Sequence, residues 1–174
     1  MLSATYAFGS DWMHLAGLRP WSGTERRLGR KETSMPSSQD LDATVPETQE
    51  WISDVTQRLG WHDREKAYLA LIAALHALRD VVPLEEVVYL GACFPSLLRG
   101  LYYEGWHPTR RSGPLKSRTA FLDRIHEAVH RDPAIDAEQV AHAVFALLAA
   151  RLPAAEIEDA KAATPKALRS LWPS

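Results

Sequence analysis

A single cysteine, Cys93, stands among 174 residues. No intramolecular disulfide can form, and a reducing compartment is the expected setting. Long hydrophobic runs are missing too. No stretch approaches the ~20 apolar residues of a membrane span. The N-terminus shows no charged patch followed by the apolar run that marks a secretory signal. Neither sign of charge dominates: the net charge is −2. The global field therefore draws the chain toward neither nucleic acid nor an anionic membrane. No P-loop, glycine-rich phosphate loop or dinucleotide fingerprint is present, and no cofactor is expected. These absences describe a cytoplasmic protein without membrane or nucleic-acid partners.

What is present is an ordinary globular composition, 46% hydrophobic and 24% charged, enough for one domain or two very small ones. Residues 1–40 differ from the rest. Gly9, Gly17, Gly23 and Gly29 alternate with a basic run at Arg26, Arg27, Arg30 and Lys31, and Ser34-Met35-Pro36-Ser37-Ser38 is rich in helix breakers. Without a sustained period, this segment is expected to be a disordered extension, with Met35 as the natural start.

From residue 41 the pattern is helical. Thr44-Val45-Pro46-Glu47 has the form of a capping box, and Trp51, Ile52, Val55 and Leu59 then recur on one helical face. A second helix is predicted from about Asp63 to Asp80, with Tyr68, Leu69, Ile72, Leu75 and Leu78 on one face and Pro83 stopping it. A short third helix follows Pro83. A fourth follows Pro95, carries Leu97, Leu98, Leu101 and Tyr102, and closes at Gly105.

A shift of 70 residues reproduces this pattern without a gap. Pro83 falls on Pro153, Pro95 on Pro165, Glu86 on Glu156, Leu98-Arg99 on Leu168-Arg169, Trp51 on Phe121 and Tyr102 on Trp172. The matched positions set helix starts and apolar faces, so the spacing reads as a duplicated supersecondary unit. The expected fold is all-α: two tandem four-helix repeats, 41–106 and 119–174, packed into one helical bundle because either alone is marginal in size. The segment 107–118, with four bases and no acid, reads as a basic linker. From Leu41 to Trp106 there are ten acids and five bases, net −5; from His107 onward there are eight acids and ten bases, net +2. The halves can therefore attract each other or another copy of the chain.

Chemistry-bearing residues are few. His126-Glu127-Ala128-Val129-His130 has the H-E-x-x-H form that places two zinc ligands on one helical face, with the glutamate as general base. No third ligand follows at a suitable spacing, since Arg131-Asp132-Pro133 breaks the helix, and the shift of 70 aligns His126 and His130 with Thr56 and Gly60. No metal site is therefore assigned, and His126 and His130 remain weak candidates. Cys93 reads as a small buried hydrophobe without an activating partner. His76 and His142 read as structural, with no serine or aspartate partner for nucleophilic catalysis, so no catalytic residue is assigned. The densest cluster is Leu97 to Trp106, where Arg99, Tyr103, Glu104 and Trp106 are residue types enriched at binding hot spots.

Several stretches resemble a bacterial family known as domain of unknown function 2267. They are Arg58-Leu59-Gly60-Trp61, Leu75-His76-Ala77-Leu78-Arg79-Asp80, Leu98-Arg99-Gly100-Leu101-Tyr102-Tyr103-Glu104-Gly105-Trp106, Ile157-Glu158-Asp159 and Leu168-Arg169-Ser170-Leu171-Trp172-Pro173. The resemblance spans Thr44 to Trp172 and implies a small helical domain with no assigned activity, catalytic residue or cofactor. The expected function is a non-enzymatic interaction or scaffold domain, forming a homo-oligomer or binding another protein. The alternatives are small-ligand binding between the two repeats and a zinc-dependent hydrolase using His126, Glu127 and His130.

Overall fold

The first helix begins earlier than the sequence pattern suggests. In the computed structural model, which describes residues 38–108 and 117–173, α1 runs over Ser38–Leu59 with Pro46 inside it. Thr44 is therefore not its N-cap, and the capping-box reading is corrected. The Thr44 hydroxyl serves another helix: its Oγ1 accepts a hydrogen bond from the Leu97 amide at 2.8 Å. The expectations of disorder over residues 1–37 and of a linker over 109–116 lie outside the described residues, while 38–40 are helical.

The remaining helices are set by local capping. Asp63 caps α2 (Arg64–Val81) by accepting from the Lys66 amide, and Asp136 caps α6 (Ala137–Arg151) by accepting from Glu138 and Gln139. Ser117 caps α5 (Arg118–Ala128) through the Ala120 amide. Three helices start directly after a proline, whose missing N–H is no loss in a first turn: α3 (Leu84–Cys93), α4 (Ser96–Tyr103) and α7 (Ala154–Ala163). After Pro165 the chain forms a 3-10 helix, Lys166–Leu171, where an α-helix was expected. The seven residues between Pro165 and Pro173 leave little room for α-type bonds, and 3-10 winding is common in such short pieces. Among the described residues there is no strand, and no helix is long and apolar enough to cross a membrane.

The helices α2 and α6 form the centre. Ala67, Ala70, Leu71, Ala74, Leu75 and Leu78 on α2, and Val140, Ala141, Val144, Leu147 and Leu148 on α6, have no exposed surface. Alanine on both helices lets the backbones approach closely. The outer helices cross between the halves: α1 packs on α2 and α6, α5 on α6 and α2, while α3 packs on α7. One hydrophobic cluster consequently runs from Trp51 to Trp172. Charges follow the same crossing. Arg151 of α6 lies 2.6 Å from Asp54 of α1, with its guanidinium over the Trp51 ring. Arg124 of α5 lies 3.8 Å from Asp80 of α2. The acid sits on the outer helix in the first pair and on the central helix in the second. That reversed polarity discriminates between the two outer helices.

Candidate functional site

The cluster singled out in the sequence, Leu97 to Trp106, is gripped by the end of α2. The Arg79 side chain is 5% exposed, a placement that requires its donors to be matched. Its Nη1 donates to the carbonyls of Tyr102 and Glu104, and its Nε to Asp80 Oδ1 at 3.3 Å. One turn earlier, His76 Nε2 donates to the Leu101 carbonyl at 2.8 Å. These carbonyls lie at the C-terminal end of α4 and its cap, where the helix dipole is negative and carbonyls run short of helical partners, although that of Leu101 also accepts from the Glu104 amide at 3.2 Å. A cationic clasp thus closes α4 and fixes the turn through Gly105, whose φ of +62° suits glycine. Burial pushes the His76 pKa below its ordinary value, against the raising effect of the Leu101 carbonyl. The shift of 70 puts Ala146, Ala149 and Ala150 at the places of His76, Arg79 and Asp80, so the clasp belongs to the first half alone.

The four candidate binding residues surround this turn and are only partly free. Arg99 is exposed, but its Nη2 donates to the Phe94 carbonyl at 3.1 Å, closing the α3–α4 corner. Arg169 repeats that role toward Thr164 and Ala162. Tyr103 is half-buried, its hydroxyl donating to the Val87 carbonyl at 3.2 Å and its ring lying over Gly91, where a Cβ would overlap it. Glu104 is exposed and contributes its carbonyl to Arg79. Trp106 ends a series of rings, Trp51, Phe94, Tyr102, Tyr103 and Trp106, with successive centroids 5.0–5.6 Å apart. The series runs from the buried Trp51 through the fully buried Tyr102 to the half-buried Trp106. Such aromatic contacts stiffen the corner beyond their area of burial. Burial raises the Tyr102 and Tyr103 hydroxyl pKa values, so neither is poised as an acid or base near neutrality. Cys93 is half-buried; burial, then the Glu156 carboxylate, push its thiol up. It is the opposite of an activated nucleophile.

The H-E-x-x-H segment does not keep the helical geometry its spacing implied. The helix α5 ends at Ala128, and His130 and Arg131 take φ of 58° and 53°, past the helix end. The shift of 70 carries Gly60, with φ +65°, onto His130. Both occupy the left-handed position that terminates a helix. His126 and His130 therefore do not share a helical face. Glu127 is held by Arg131 at 2.7 Å, and His126 Nε2 lies 3.3 Å from the Asp132 carbonyl. Among the described residues no group of three His, Cys, Asp or Glu side chains is placed to hold a metal ion.

A concavity lies between the two halves, where small-ligand binding was one alternative, but its lining residues were not named from the sequence. Arg58 and Leu59 of α1 face Gln139, His142, Ala143 and Ala146 of α6 across an open cleft. Only the run of small side chains on α6 could have signalled it.

No curated protein matches the chain. The family described as an uncharacterized conserved protein, DUF2267, matches residues 48–171, from the buried Thr48 of α1 through the end of the 3-10 helix. That span contains both partners of the clasp, the ring series and the crossed helices, and the chain belongs to the DUF2267 family.

Proposed function

We propose that this is a non-enzymatic interaction domain, built by duplication of a four-helix unit, that associates with a second copy of itself. The observation that carries the reading is the exposed pair Leu84 and Val88, one turn apart on α3 and 48% and 50% exposed. Val45 and Leu97, 48% and 40% exposed, add a second apolar spot where the Thr44–Leu97 hydrogen bond joins α1 to α4. Single exposed hydrophobes are ordinary; Leu84 and Val88 adjoin on one helix face, which gives a contact surface a place to form. The polar groups that might otherwise do chemistry are engaged in structure: Arg79, His76, Arg99 and Tyr103 all bond backbone carbonyls. The unequal charge of the halves, net −5 and +2, favours an arrangement in which the first half of one copy meets the second half of another.

Light scattering on a concentration series tests the reading. The expected result is a mass that rises above the monomer with concentration and returns to it in the double variant Leu84→Lys, Val88→Lys. A monomer at every concentration, or association untouched by the double variant, contradicts it.

A further inference from the structure

We propose that the cleft between the end of α1 and the outer face of α6 binds a small monocarboxylate carrying a short apolar body. Leu59, Ala143 and Ala146 give it an apolar floor, and Arg58, Gln139 and His142 give it a polar rim. The open cleft offers about 400 Å³, in the range of small-molecule sites. Size and mixed lining alone describe many surface dips. The charges around this one are more specific.

Arg58 makes no ion pair or hydrogen bond among the described residues, whereas Arg118, Arg124, Arg131 and Arg151 each face a carboxylate. The acids nearest in sequence on the two walls are already engaged. Asp54, one turn before Arg58, is held by Arg151 at 2.6 Å. Glu138, one turn before His142, is held by Arg118 at 2.6 Å and stands 3.8 Å from His142 Nε2, beyond hydrogen-bond reach. Among the described residues the rim is thus left with a guanidinium, an imidazole and an amide as donors and no uncommitted carboxylate. A planar anion matches a guanidinium fork in two parallel hydrogen bonds, and an apolar tail covers the alanines.

The comparison between halves adds a second observation. The shift of 70 carries Gln139, His142 and Ala146 onto Leu69, Ile72 and His76. In the first half Leu69 and Ile72 are half-buried, and His76 turns to the Leu101 carbonyl. The second half has polar groups and an alanine at these positions, and there the floor is open. The site lies on a different pair of helices from the α3 face and does not depend on self-association.

The test is an amide chemical-shift titration of the full chain with hexanoate at low ionic strength, with hexylamine and hexanol as controls. The expected result is saturable shifts at Arg58 and along His142–Ala146 with hexanoate alone. Arg58→Gln weakens that binding about tenfold, the effect of losing a charged hydrogen-bond pair. Ala146→Leu abolishes it by filling the floor. Shifts that never saturate, equal binding of hexylamine or hexanol, or wild-type affinity in Arg58→Gln would overturn the proposal. Arg58 is exposed and bonds nothing among the described residues, so that variant keeps the fold and decides the matter even if Ala146→Leu does not fold.

Discussion

Tyr102 has no exposed surface, and its hydroxyl finds no hydrogen-bond partner among the described residues. A buried hydroxyl without a partner carries an uncompensated desolvation cost. Tyr102→Phe keeps the edge-on ring contact with Phe94 and removes that cost. Stability in chemical denaturation is expected to stay equal or rise by about 1 kcal/mol. A clear loss would mean the hydroxyl is bonded. At the related position Trp172 is served, its Nε1 donating to Thr164 Oγ1 at 3.3 Å. His130 supplies a second residue-scale prediction. A left-handed non-glycine residue costs about 1 kcal/mol, so His130→Gly should raise the melting temperature by about 2–4 °C. Gly60→Ala, at the matching position, should lower it. His76 gives a pH dependence. Its folded-state pKa is depressed, chiefly by burial, so the unfolded chain takes up the proton first. The stability linked to His76 is full above its ordinary pKa of about 6.5 and falls as pH drops below that value toward the lower folded-state pKa. His76→Gln should flatten the fall in melting temperature between pH 7 and 5.

At the scale of the helix, the sequence was readable wherever a boundary is set by its own neighbours. Asp63, Pro83, Pro95 and Gly105 act within a few residues of themselves, and the helix limits follow them. Thr44 misled because its acceptor is used 53 residues away, at Leu97. The proline at the N-cap of α4 offers no side-chain acceptor, and the threonine of α1 replaces it. Thr44→Val should therefore cost about 1 kcal/mol, with faster hydrogen exchange at Leu97 and little change in Thr44→Ser. The clasp was unreadable for a related reason. Arg79 and His76 bond backbone carbonyls 23–25 residues away, and a carbonyl has no residue type to give it away. Arg79→Met leaves those carbonyls without their cationic partner and should cost about 3 kcal/mol, measured by urea denaturation. The cleft was hidden because Ala143 and Ala146 make it by absence of bulk, and in sequence they are merely good helix formers.

At the scale of the described molecule, the decisive feature is that α1 and α5 each lean on the central helix of the other half. α1 rests on α6 as well as α2, and α5 on α2 as well as α6, with Arg151–Asp54 and Arg124–Asp80 spanning the division. Under the shift of 70 α3 lands on α7 end to end, while α1 and α2 begin earlier than α5 and α6 do, and periodicity alone could not say which outer helix packs on which partner. The crossed packing makes a strong statement about the halves. Separating them would expose the apolar faces of α2 and α6 together, a patch too large for a soluble monomer. The most direct measurement is circular dichroism of two fragments, 38–108 and 117–174, recorded apart and mixed, beside thermal unfolding of the intact chain. Each fragment alone should be largely unstructured or aggregated, the equimolar mixture should regain helicity, and the intact chain should unfold in one transition. A well-folded isolated fragment, or two separate transitions, would contradict the shared core.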